Sequence, residues 1–321
     1  MSHFEGFQSV ESLRKPHPLP VERVRYERES QVERVICLSD IHNDLIAAQA
    51  SLEQRGIVHH DGEWRRSVKV HLIITGDSIN KQEPNPEVLK YFAHLRKTAP
   101  PGCSVTMLAG NHEIDVLLRA ADGEKVGLKD GRIEFLGSMD IICKRGPVLY
   151  LHRYPSLGLV QELWRQYRMQ GGDPDTWDIN QRFHEAVATM RQSPEQSKAV
   201  FRECDDGGDK QALAGLSAEE YYQKYSALIG QYLNEMGVTT VVHGHKIQKE
   251  GGQKFEQYIP GVFMVNIDAG ISSDKNPEHR HRIGSIEVAP DFDGGIEITC
   301  AYKPNINRKK GDAQVRTITV H

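Results

Sequence analysis

Short apolar runs recur along the chain from residue 33 onward, and amphipathic stretches separate several of them. Runs of about four to eight apolar residues bounded by polar residues are typical of buried strands. Nine such runs are predicted to form strands: 33–39, 68–74, 104–109, 148–152, 239–243, 261–267, 283–288, 295–302 and 314–320. Strand segments therefore lie in both halves of the chain.

Two helices are predicted among the first strands, at 43–56 and 84–97. The first begins at a polar cap and ends at glycine, and prolines stand at the entrance of the second. Strands that alternate with helices are typical of βαβ units around a central sheet. The pattern therefore favours the α/β class.

A long stretch without strand runs separates the two groups of strands. Residues 156–236 carry amphipathic helical segments that the polar sequences GGDPD and DDGGD help to divide. We interpret this stretch as a helical insertion that packs beside the sheet as a cap. The predicted organisation is a polar lead-in over 1–32, followed by one domain over 33–321 that contains the cap.

Composition narrows the function classes. With 40 Lys and Arg against 44 Asp and Glu, the net charge of −4 gives no basic surface for nucleic acid and no general attraction to membranes. The sequence has neither a secretory signal pattern nor an apolar run long enough to cross a membrane. Its five cysteines form no CxxC pair or disulfide framework, which favours a reduced compartment. We therefore expect a cytoplasmic protein, although export without a cleaved signal would leave no mark; the oligomeric state stays open.

Five short motifs follow predicted strands, where α/β folds place their reactive groups. They are LSDIHND, ITGDSIN, LAGNHEI, LYLHRYP and VVHGHKI. In the first, Asp40 and His42 are two residues apart, so that at a strand end they would point to one face and bind one metal together. In the second, Asp77 could bridge two metals through its two carboxylate oxygens.

The other three motifs add amide and imidazole ligands. Gly110 allows a tight turn that presents the carbonyl oxygen of Asn111, with His112 beside it. His152 and His245 each stand at the end of a predicted strand. Such a mixed ligand set suits manganese, iron, zinc or nickel better than calcium. Two such ions about 3.5–4 Å apart can activate water and stabilise the leaving oxygen of a phosphate ester.

Each motif also has a plain structural interpretation. An Asp and a His two residues apart occur by chance, GD after a strand is often a turn, and GNHE alone can be a helix cap. A histidine at a strand end, such as His152, is usually structural. The order of the five motifs, each at a strand end, favours a metal site over these separate explanations.

The ordered set D-x-H, GD, GNHE, strand-end His and GH resembles the calcineurin-like metallophosphoesterases. GNHE with a later GH is more similar to the phosphoprotein phosphatase branch, which includes bacterial Shewanella-like and diadenosine tetraphosphatase-like enzymes. The segment VNIDAGIS at 265–272 resembles the strand end after the last ligand in that branch. The motifs span residues 39–272, which is most of the chain apart from the lead-in, the cap and the C-terminal tail.

The resemblance implies a fold and a chemistry. The implied fold is a central β-sandwich of mixed sheets flanked by helices, with 33–321 as the catalytic domain. A hydroxide activated at a dinuclear metal site, with manganese favoured over iron, zinc or nickel, would attack a phosphate ester. By position, the ligands of the two divalent ions would be Asp40, His42, Asp77, Asn111, His152 and His245. His112 would be the general acid, a role that imidazole suits near neutral pH.

The chain departs from the family pattern beside the acid histidine. The branch usually continues GD as GDxxDRG, but here Asn80 replaces the aspartate and Lys81 replaces the arginine. An amide supports an imidazolium less than a carboxylate does, and lysine lacks the bidentate fork of arginine. The arginine often found before GNHE is also absent. Asn80 and Lys81 are therefore candidate catalytic residues with altered chemistry.

Arginines elsewhere are candidates to bind the phosphate. Arg153 follows His152, and Arg280 and Arg282 lie in the segment NPEHRHR. The plain interpretation is that each is an ordinary surface arginine.

Three functions fit this pattern. We expect a phosphomonoesterase that acts on phosphoserine, phosphothreonine or phosphotyrosine in proteins, or on a small phosphoester. A second possibility is a phosphodiesterase or pyrophosphatase for nucleotides or dinucleoside polyphosphates. The third is a binding protein whose activity has lapsed through Asn80 and Lys81, although the complete ligand set argues against it. The cap either docks on the sheet as plain packing or forms one wall of the substrate cleft.

Overall fold

Two mixed sheets form the centre of the fold. The computed structural model describes residues 34–66, 68–128, 130–206, 216, 218–245, 254–268, 283–290, 295–303 and 314–320. Over these residues the strands are β1 (Arg34–Leu38), β2 (Val70–Ile74), β3 (Ser104–Met107), β4 (Ile142–Arg145), β5 (Val148–Leu151), β6 (Thr240–His243), β7 (Lys254–Ile259), β8 (Val262–Asn266), β9 (Ile283–Pro290), β10 (Ile296–Lys303) and β11 (Gln314–Val320). All nine predicted strands are confirmed, each within two residues of its predicted ends.

The first sheet has six strands in the order β11-β10-β9-β1-β2-β3. β1, β2 and β3 are parallel, with Cys37 opposite Ile73 and Ile73 opposite Thr106. β9, β10 and β11 extend this sheet with antiparallel pairing. Because the three parallel strands end at one edge, their following loops meet there.

The second sheet has five strands in the order β4-β5-β6-β8-β7. β5, β6 and β8 are parallel, and β4 and β7 pair antiparallel at the two sides. The sequence patterns missed both β4 and β7. β4 carries Lys144 and Arg145 in only four residues, and β7 mixes polar and apolar positions, so neither has the continuous apolar run of a central strand.

Apolar side chains from both sheets pack into one core between them. Val35 and Cys37 of β1 share a cluster with Tyr150 of β5, Val242 of β6 and Val265 of β8. Each of these side chains is nearly or fully buried. The predicted sandwich of mixed sheets is therefore confirmed.

Helices cover the outer faces of the sandwich. Over the described residues they are α1 (Leu45–Gln54), α2 (Pro86–Thr98), α3 (Asn111–Ala121), α4 (Asp130–Leu136), α5 (Leu157–Gln170), α6 (Asp178–Thr189), α7 (Pro194–Asp206) and α8 (Ala218–Glu235). The two predicted helices, α1 and α2, begin at side-chain caps, where Asp44 accepts from the N–H of Ala47 and Asn85 from that of Glu87. The motif analysis did not predict α3 or α4.

The helical stretch between β5 and β6 is confirmed as α5 to α8. The described part of this stretch contains no strand. Arg182 of α6 forms ion pairs with Glu203 of α7 and Glu162 of α5. Lys198 of α7 bonds Asp122, at the end of α3, at 2.6 Å. These contacts join the helices of the cap to one another and to α3, the helix that follows β3. The boundaries of the cap as an insertion stay a prediction.

No helix over the described residues is both long enough and apolar enough to span a bilayer.

Candidate metal centre

The loops after β1, β2 and β3 bring the first three motifs side by side. The backbone N–H of Asp40 donates to the carbonyl of Gly76 at 3.1 Å, and that of His42 donates to the carbonyl of Asp77 at 3.0 Å. The N–H of His112 donates to Oδ1 of Asp77 at 2.9 Å. Three motifs far apart in sequence therefore form one connected backbone surface at the end of the first sheet.

The loops after β5 and β6 bring the other two motifs against that surface. The N–H of Gly244 donates to the carbonyl of His152 at 2.9 Å. The N–H of His245 donates to Oδ2 of Asp40 at 3.0 Å. The ends of the two sheets thus meet at the five motifs.

Several of these residues have left-handed backbones. The φ angles of Asp40, His42, Asn43, Asp77 and His245 are 53°, 46°, 70°, 49° and 73°. Among described residues other than glycine, these five are the ones with positive φ. Such conformations are unfavourable and collect at functional sites, where surrounding contacts hold them. We predicted that Asp40 and His42 share a face because side chains alternate along a strand. Both residues instead follow β1 in a left-handed turn, so strand alternation is not what brings them together.

Two glycines permit the close approach of these loops. A Cβ on Gly110 would lie 2.2 Å from Oδ1 of Asp77, and a Cβ on Gly244 would lie 2.1 Å from Oδ2 of Asp40. Gly110 itself has a φ of −96°, so it is close contact with Asp77, rather than a special turn, that requires glycine there. The prediction that Gly110 is needed for a tight turn is therefore wrong, because glycine is needed there to leave room for Asp77.

One group of ligand atoms surrounds the second carboxylate oxygen of Asp77. Nε2 of His42 lies 3.9 Å from Oδ2 of Asp77 and 3.8 Å from Oδ1 of Asp40. Nε2 of His112 lies 3.7 Å from the same Oδ2. His42, Asp77 and His112 each offer an atom within 4.8 Å of the others, a spacing that can hold an ion.

A second group surrounds the other oxygen of Asp77. Nε2 of His152 lies 3.3 Å from Oδ1 of Asp77 and 3.0 Å from Oδ1 of Asn111. Nδ1 of His245 lies 2.8 Å from the same Asn111 oxygen and 3.3 Å from Nε2 of His152. Four atoms that can accept a hydrogen bond or bind a metal therefore converge, which fits a divalent transition-metal ion.

A backbone bond fixes which nitrogen of His152 faces this group. Nδ1 of His152 lies 2.9 Å from the carbonyl of Thr75. A carbonyl oxygen only accepts, so Nδ1 carries the proton and the other nitrogen is turned toward Asp77 and Asn111. Histidines that bind metals commonly have this support from behind.

The electrostatics of the site also fit a cation. Asp40, Asp77, Glu113 and Asp268 are all nearly or fully buried. Burial and the nearby Asp268 raise the pKa of Asp40 well above its usual range. Burial also acts to raise the pKa of Asp77, but the imidazole of His152 and two further histidines outweigh it and hold that pKa well below its usual range. Buried carboxylates in such number need compensating positive charge, which divalent ions would supply.

The pKa values of the two histidines in the second group, His152 and His245, are shifted in opposite directions. Burial lowers the pKa of His152, but the carboxylates of Asp77, Asp40 and Glu113 outweigh it and raise that pKa to about 10. Burial and the adjacent His152 lower the pKa of His245 to about 3. Positive charge is therefore favoured at the centre of the group, beside Asp77.

Glu113 supports the site and was missed by the sequence motifs. Its carboxylate accepts the backbone N–H groups of Asp77, Ser78, Ile79 and Gly110, at 2.7–3.1 Å. Burial and the nearby Asp77 raise its pKa to about 7. The signal in the sequence was a glutamate three residues after Gly110, the spacing of a helix capping box. Glu113 thus joins the loop after β2 to the start of α3.

The structure places the catalytic candidates at different depths. Nδ1 of His112 lies 3.0 Å from the carbonyl of Ile79, and its ring centroid is 4.5 Å from that of His42. The N–H of Asn80 donates to Oδ1 of Asn43 at 3.1 Å. The side chain of Lys81 is exposed, and its carbonyl accepts from Arg119 at 2.6 Å. His112 therefore joins the cluster of predicted ligands, whereas the Lys81 side chain faces solvent.

Of the three arginines predicted to bind phosphate, the structure describes Arg153. Arg153 lines a cavity of about 210 Å³ together with Asn111, His152 and His245. Its guanidinium bonds the carbonyl and the carboxylate of Asp205 on α7, each at 3.0 Å. Arg280 and Arg282 lie outside the described residues.

Comparisons with known proteins place this geometry in a family. Residues 33–249 match the family of calcineurin-like phosphoesterases. No curated protein matches the chain in sequence. The cold-active protein tyrosine phosphatase of a psychrophilic Shewanella species matches with a TM-score of 0.52 and 19% identity, over 83% of this chain and 80% of that chain. A protein serine/threonine phosphatase from Saccharomyces cerevisiae matches with a TM-score of 0.50 and 14% identity, over 90% of this chain and 80% of that chain.

The structural matches are similar in fold alone, because their sequence identities are low. The family match is more extensive, since it begins just before β1, covers all five motifs and ends beyond β6. The motifs that predict a metal site all lie within the matched residues, and the fold agrees with the family match. The chain belongs to the calcineurin-like phosphoesterase family.

Proposed function

We propose that this chain is a metal-dependent phosphatase that hydrolyses phosphate monoesters carried on proteins. The observation that carries the proposal is the position of Asp77. Its two oxygens face two separate groups of histidine nitrogens, one with His42 and His112 and one with His152 and His245. A carboxylate between two such groups is the arrangement that a pair of divalent ions needs.

In this proposal six side chains hold two divalent cations, with manganese favoured over iron, zinc and nickel. Asp40 and His42 serve one ion, Asn111, His152 and His245 serve the other, and Asp77 serves both. When bound, the ions supply charge neutralisation and lower the pKa of water, which unassisted phosphate ester hydrolysis lacks. The buried carboxylates and the oriented Nε2 of His152 support this assignment.

His112 is the proposed general acid. The carbonyl of Ile79 accepts a hydrogen bond from its Nδ1 and keeps its other nitrogen directed toward the cluster. In the reaction, Nε2 would give its proton to the leaving oxygen of the ester, which would otherwise depart as an unstable alkoxide. Asn80, one residue after Ile79, would modulate this histidine more weakly than the aspartate of the family, and Lys81 would act on phosphate only as a distant point charge.

Arg153 is the proposed phosphate contact on the described side of the cleft. It follows His152 in sequence and lines the cavity that opens beside Asn111 and His245. Its pairing with Asp205 holds the guanidinium in place before substrate arrives, so little side-chain freedom is lost on binding. Arg280 and Arg282 stay additional candidates.

The proposal is tested by hydrolysis of p-nitrophenyl phosphate after metal removal and refilling with manganese. We expect turnover to return with manganese in the natural protein and to be absent in Asp77→Asn. Asp115→Asn is the matched control, because Asp115 is a partly exposed carboxylate of α3 whose ionic contact, Arg119, is 4.0 Å away. Turnover of bis-p-nitrophenyl phosphate with none of the monoester would indicate a phosphodiesterase instead.

A further inference from the structure

The cavity beside the proposed metal centre is unusually apolar for the binding site of an anionic substrate. Asn111, His152 and His245 belong to its lining and form one cluster, with their side-chain atoms 2.8–3.3 Å apart. The lining also includes Ile114, Leu159 and three tyrosines, one from the loop after β5 and two from α8. A phosphate has polar partners in this cluster and in Arg153, and the apolar and aromatic part of the lining suits an uncharged group.

The three tyrosines form a continuous aromatic wall. The ring centroids of Tyr154 and Tyr222 are 5.5 Å apart, and those of Tyr221 and Tyr222 are 5.4 Å apart at 90°. The hydroxyl of Tyr221 accepts from the N–H of Leu157 at 2.9 Å, which fixes its ring against α5. Tyr154 in turn packs on the ring of His243 at 4.3 Å. The wall is thus organised without any ligand.

The charges on this lining are already paired. Apart from histidine, the charged residues of the described lining are Arg153 and Asp205, which bond each other at 3.0 Å. Asp205 would repel a second anionic group, and beyond Arg153, the proposed phosphate contact, the described lining has no Lys or Arg to pair with one. A substrate whose non-phosphate part is neutral fits this surface better than one with several negative charges.

The cavity is large enough for a single aromatic ring. The cavity holds about 210 Å³, and an engineered apolar cavity of about 150 Å³ in another protein accepts benzene. A phenyl group stacked on Tyr222 would share this cavity with Asn111 and His245, the proposed partners of the metal and phosphate.

We infer that this cavity binds the aromatic ring of an aryl phosphate monoester, and that Tyr222 is a specificity-determining residue for it. The inference rests on the proposed phosphatase function and narrows its substrate class. The helical cap would then help to select the substrate, because α5, α7 and α8 supply Leu159, Cys204 and Tyr222 to the cavity lining. Free aryl phosphates and phosphotyrosyl peptides share this chemistry.

The first test is binding, which does not depend on turnover. Dissociation constants for phenylphosphonate and methylphosphonate, which cannot be hydrolysed, are measured by calorimetry on the manganese-loaded protein. We expect phenylphosphonate to bind about tenfold more tightly, the scale of one aromatic contact with its buried area. Tyr222→Ala should remove most of that preference, and Tyr222→Phe, which keeps the ring, should retain it. Equal affinities in the natural protein would overturn the inference.

A second variant changes a lining residue from another helix. Cys204→Phe of α7 adds volume to the same cavity and should reduce phenylphosphonate binding more than methylphosphonate binding, whereas a merely destabilised fold would weaken both equally. Thermal midpoints of all variants identify any that fail to fold. An equal reduction for both ligands in a folded Cys204→Phe would count against the cavity as the ring site.

Rates of hydrolysis then distinguish a free aryl phosphate from a phosphotyrosyl peptide as the substrate that carries the ring. Hydrolysis of a phosphotyrosyl peptide is compared with that of phenyl phosphate and of a phosphoseryl peptide. Preference for both aryl substrates over the phosphoseryl peptide supports the inference, and preference for the phosphoseryl peptide contradicts it. If no monoester is hydrolysed while the phosphonate preference persists, the proposed function fails and the ring site stands.

Discussion

Oδ1 of Asp77 lies 3.3 Å from Nε2 of His152, so that a carboxylate following β2 of the first sheet meets an imidazole following β5 of the second. Both side chains are about 5% exposed or less. The contact joins the ends of the two sheets at the place where all five motifs converge. The proposed metal ions would bind at this junction.

Substitution of Gly110 should disrupt the junction directly. In Gly110→Ala the new methyl group would lie 2.2 Å from Oδ1 and 2.4 Å from the backbone nitrogen of Asp77, and the backbone there cannot easily yield. We expect loss of bound metal and a fall in activity of at least tenfold. Gly123→Ala is the control, because it adds the same methyl group in open space at a φ of +80° and should cost only about 1 kcal/mol of backbone strain. Metal analysis and thermal unfolding distinguish the two; normal metal content in Gly110→Ala would contradict the close contact.

Glu113→Gln tests whether the four backbone hydrogen bonds to the Glu113 carboxylate hold the metal-binding loops in place. The amide keeps one accepting oxygen but turns an NH₂ group toward backbone N–H donors, so at least one of the four bonds is lost. We expect a loss of about 1.5–3 kcal/mol in the free energy of unfolding and about 10–100-fold weaker metal binding. Glu124→Gln, whose carboxylate is half exposed and bonds Arg119, is the matched control. Urea unfolding and metal titration measure both effects, and unchanged metal affinity would show that Glu113 is only structural.

His112→Ala should lower turnover by about 10²–10⁴ while the bound metals remain. The reduction should be larger for phenyl phosphate than for p-nitrophenyl phosphate, because p-nitrophenolate leaves readily without a proton. His94→Ala, an exposed histidine paired with Glu63, is the control. An equal reduction for both leaving groups would assign His112 a role other than acid catalysis, and loss of one ion would make it a ligand.

The pH dependence of stability has a contribution from the cap. Nε2 of His184 lies 3.2 Å from Asp140, and this hydrogen bond, opposed by burial, raises the pKa of His184 above its ordinary 6.5. A raised pKa in the folded state contributes stability that is complete below about pH 6.5 and is lost as the pH rises through the folded pKa. Since both side chains are about one-third exposed, the contribution is at most about 1 kcal/mol. His184→Gln should therefore lower the unfolding free energy more at pH 5.5 than at pH 9; the same difference at both would contradict the ion pair.

The sequence predicted which residues meet but not how they do so. Asp40, His42 and Asp77 were identified because strand ends of parallel sheets gather reactive groups. Their left-handed backbones could not be foreseen, because only contacts from other loops, such as the bond from His42 to the carbonyl of Asp77, hold such conformations.

Long-range partners were also beyond local pattern reading. Arg153 was a candidate for phosphate, yet its bond to Asp205, 52 positions away, depends on how α7 packs against α3 and α6. β7 was missed because this edge strand mixes polar and apolar residues and lacks the apolar run that marked the central strands. The capping-box spacing of Glu113 was visible in the sequence, but its bonds to the loop after β2 required the tertiary fold.

The most direct test of the dinuclear site is a count of bound ions per chain. Protein saturated with manganese, freed of excess metal and analysed by mass spectrometry should hold two ions, whereas Asp77→Asn should hold at most one and Asp115→Asn should still hold two. Two ions retained in a folded Asp77→Asn, or none in the natural protein at saturating manganese, would contradict the assignment of Asp77 as the ligand common to both groups.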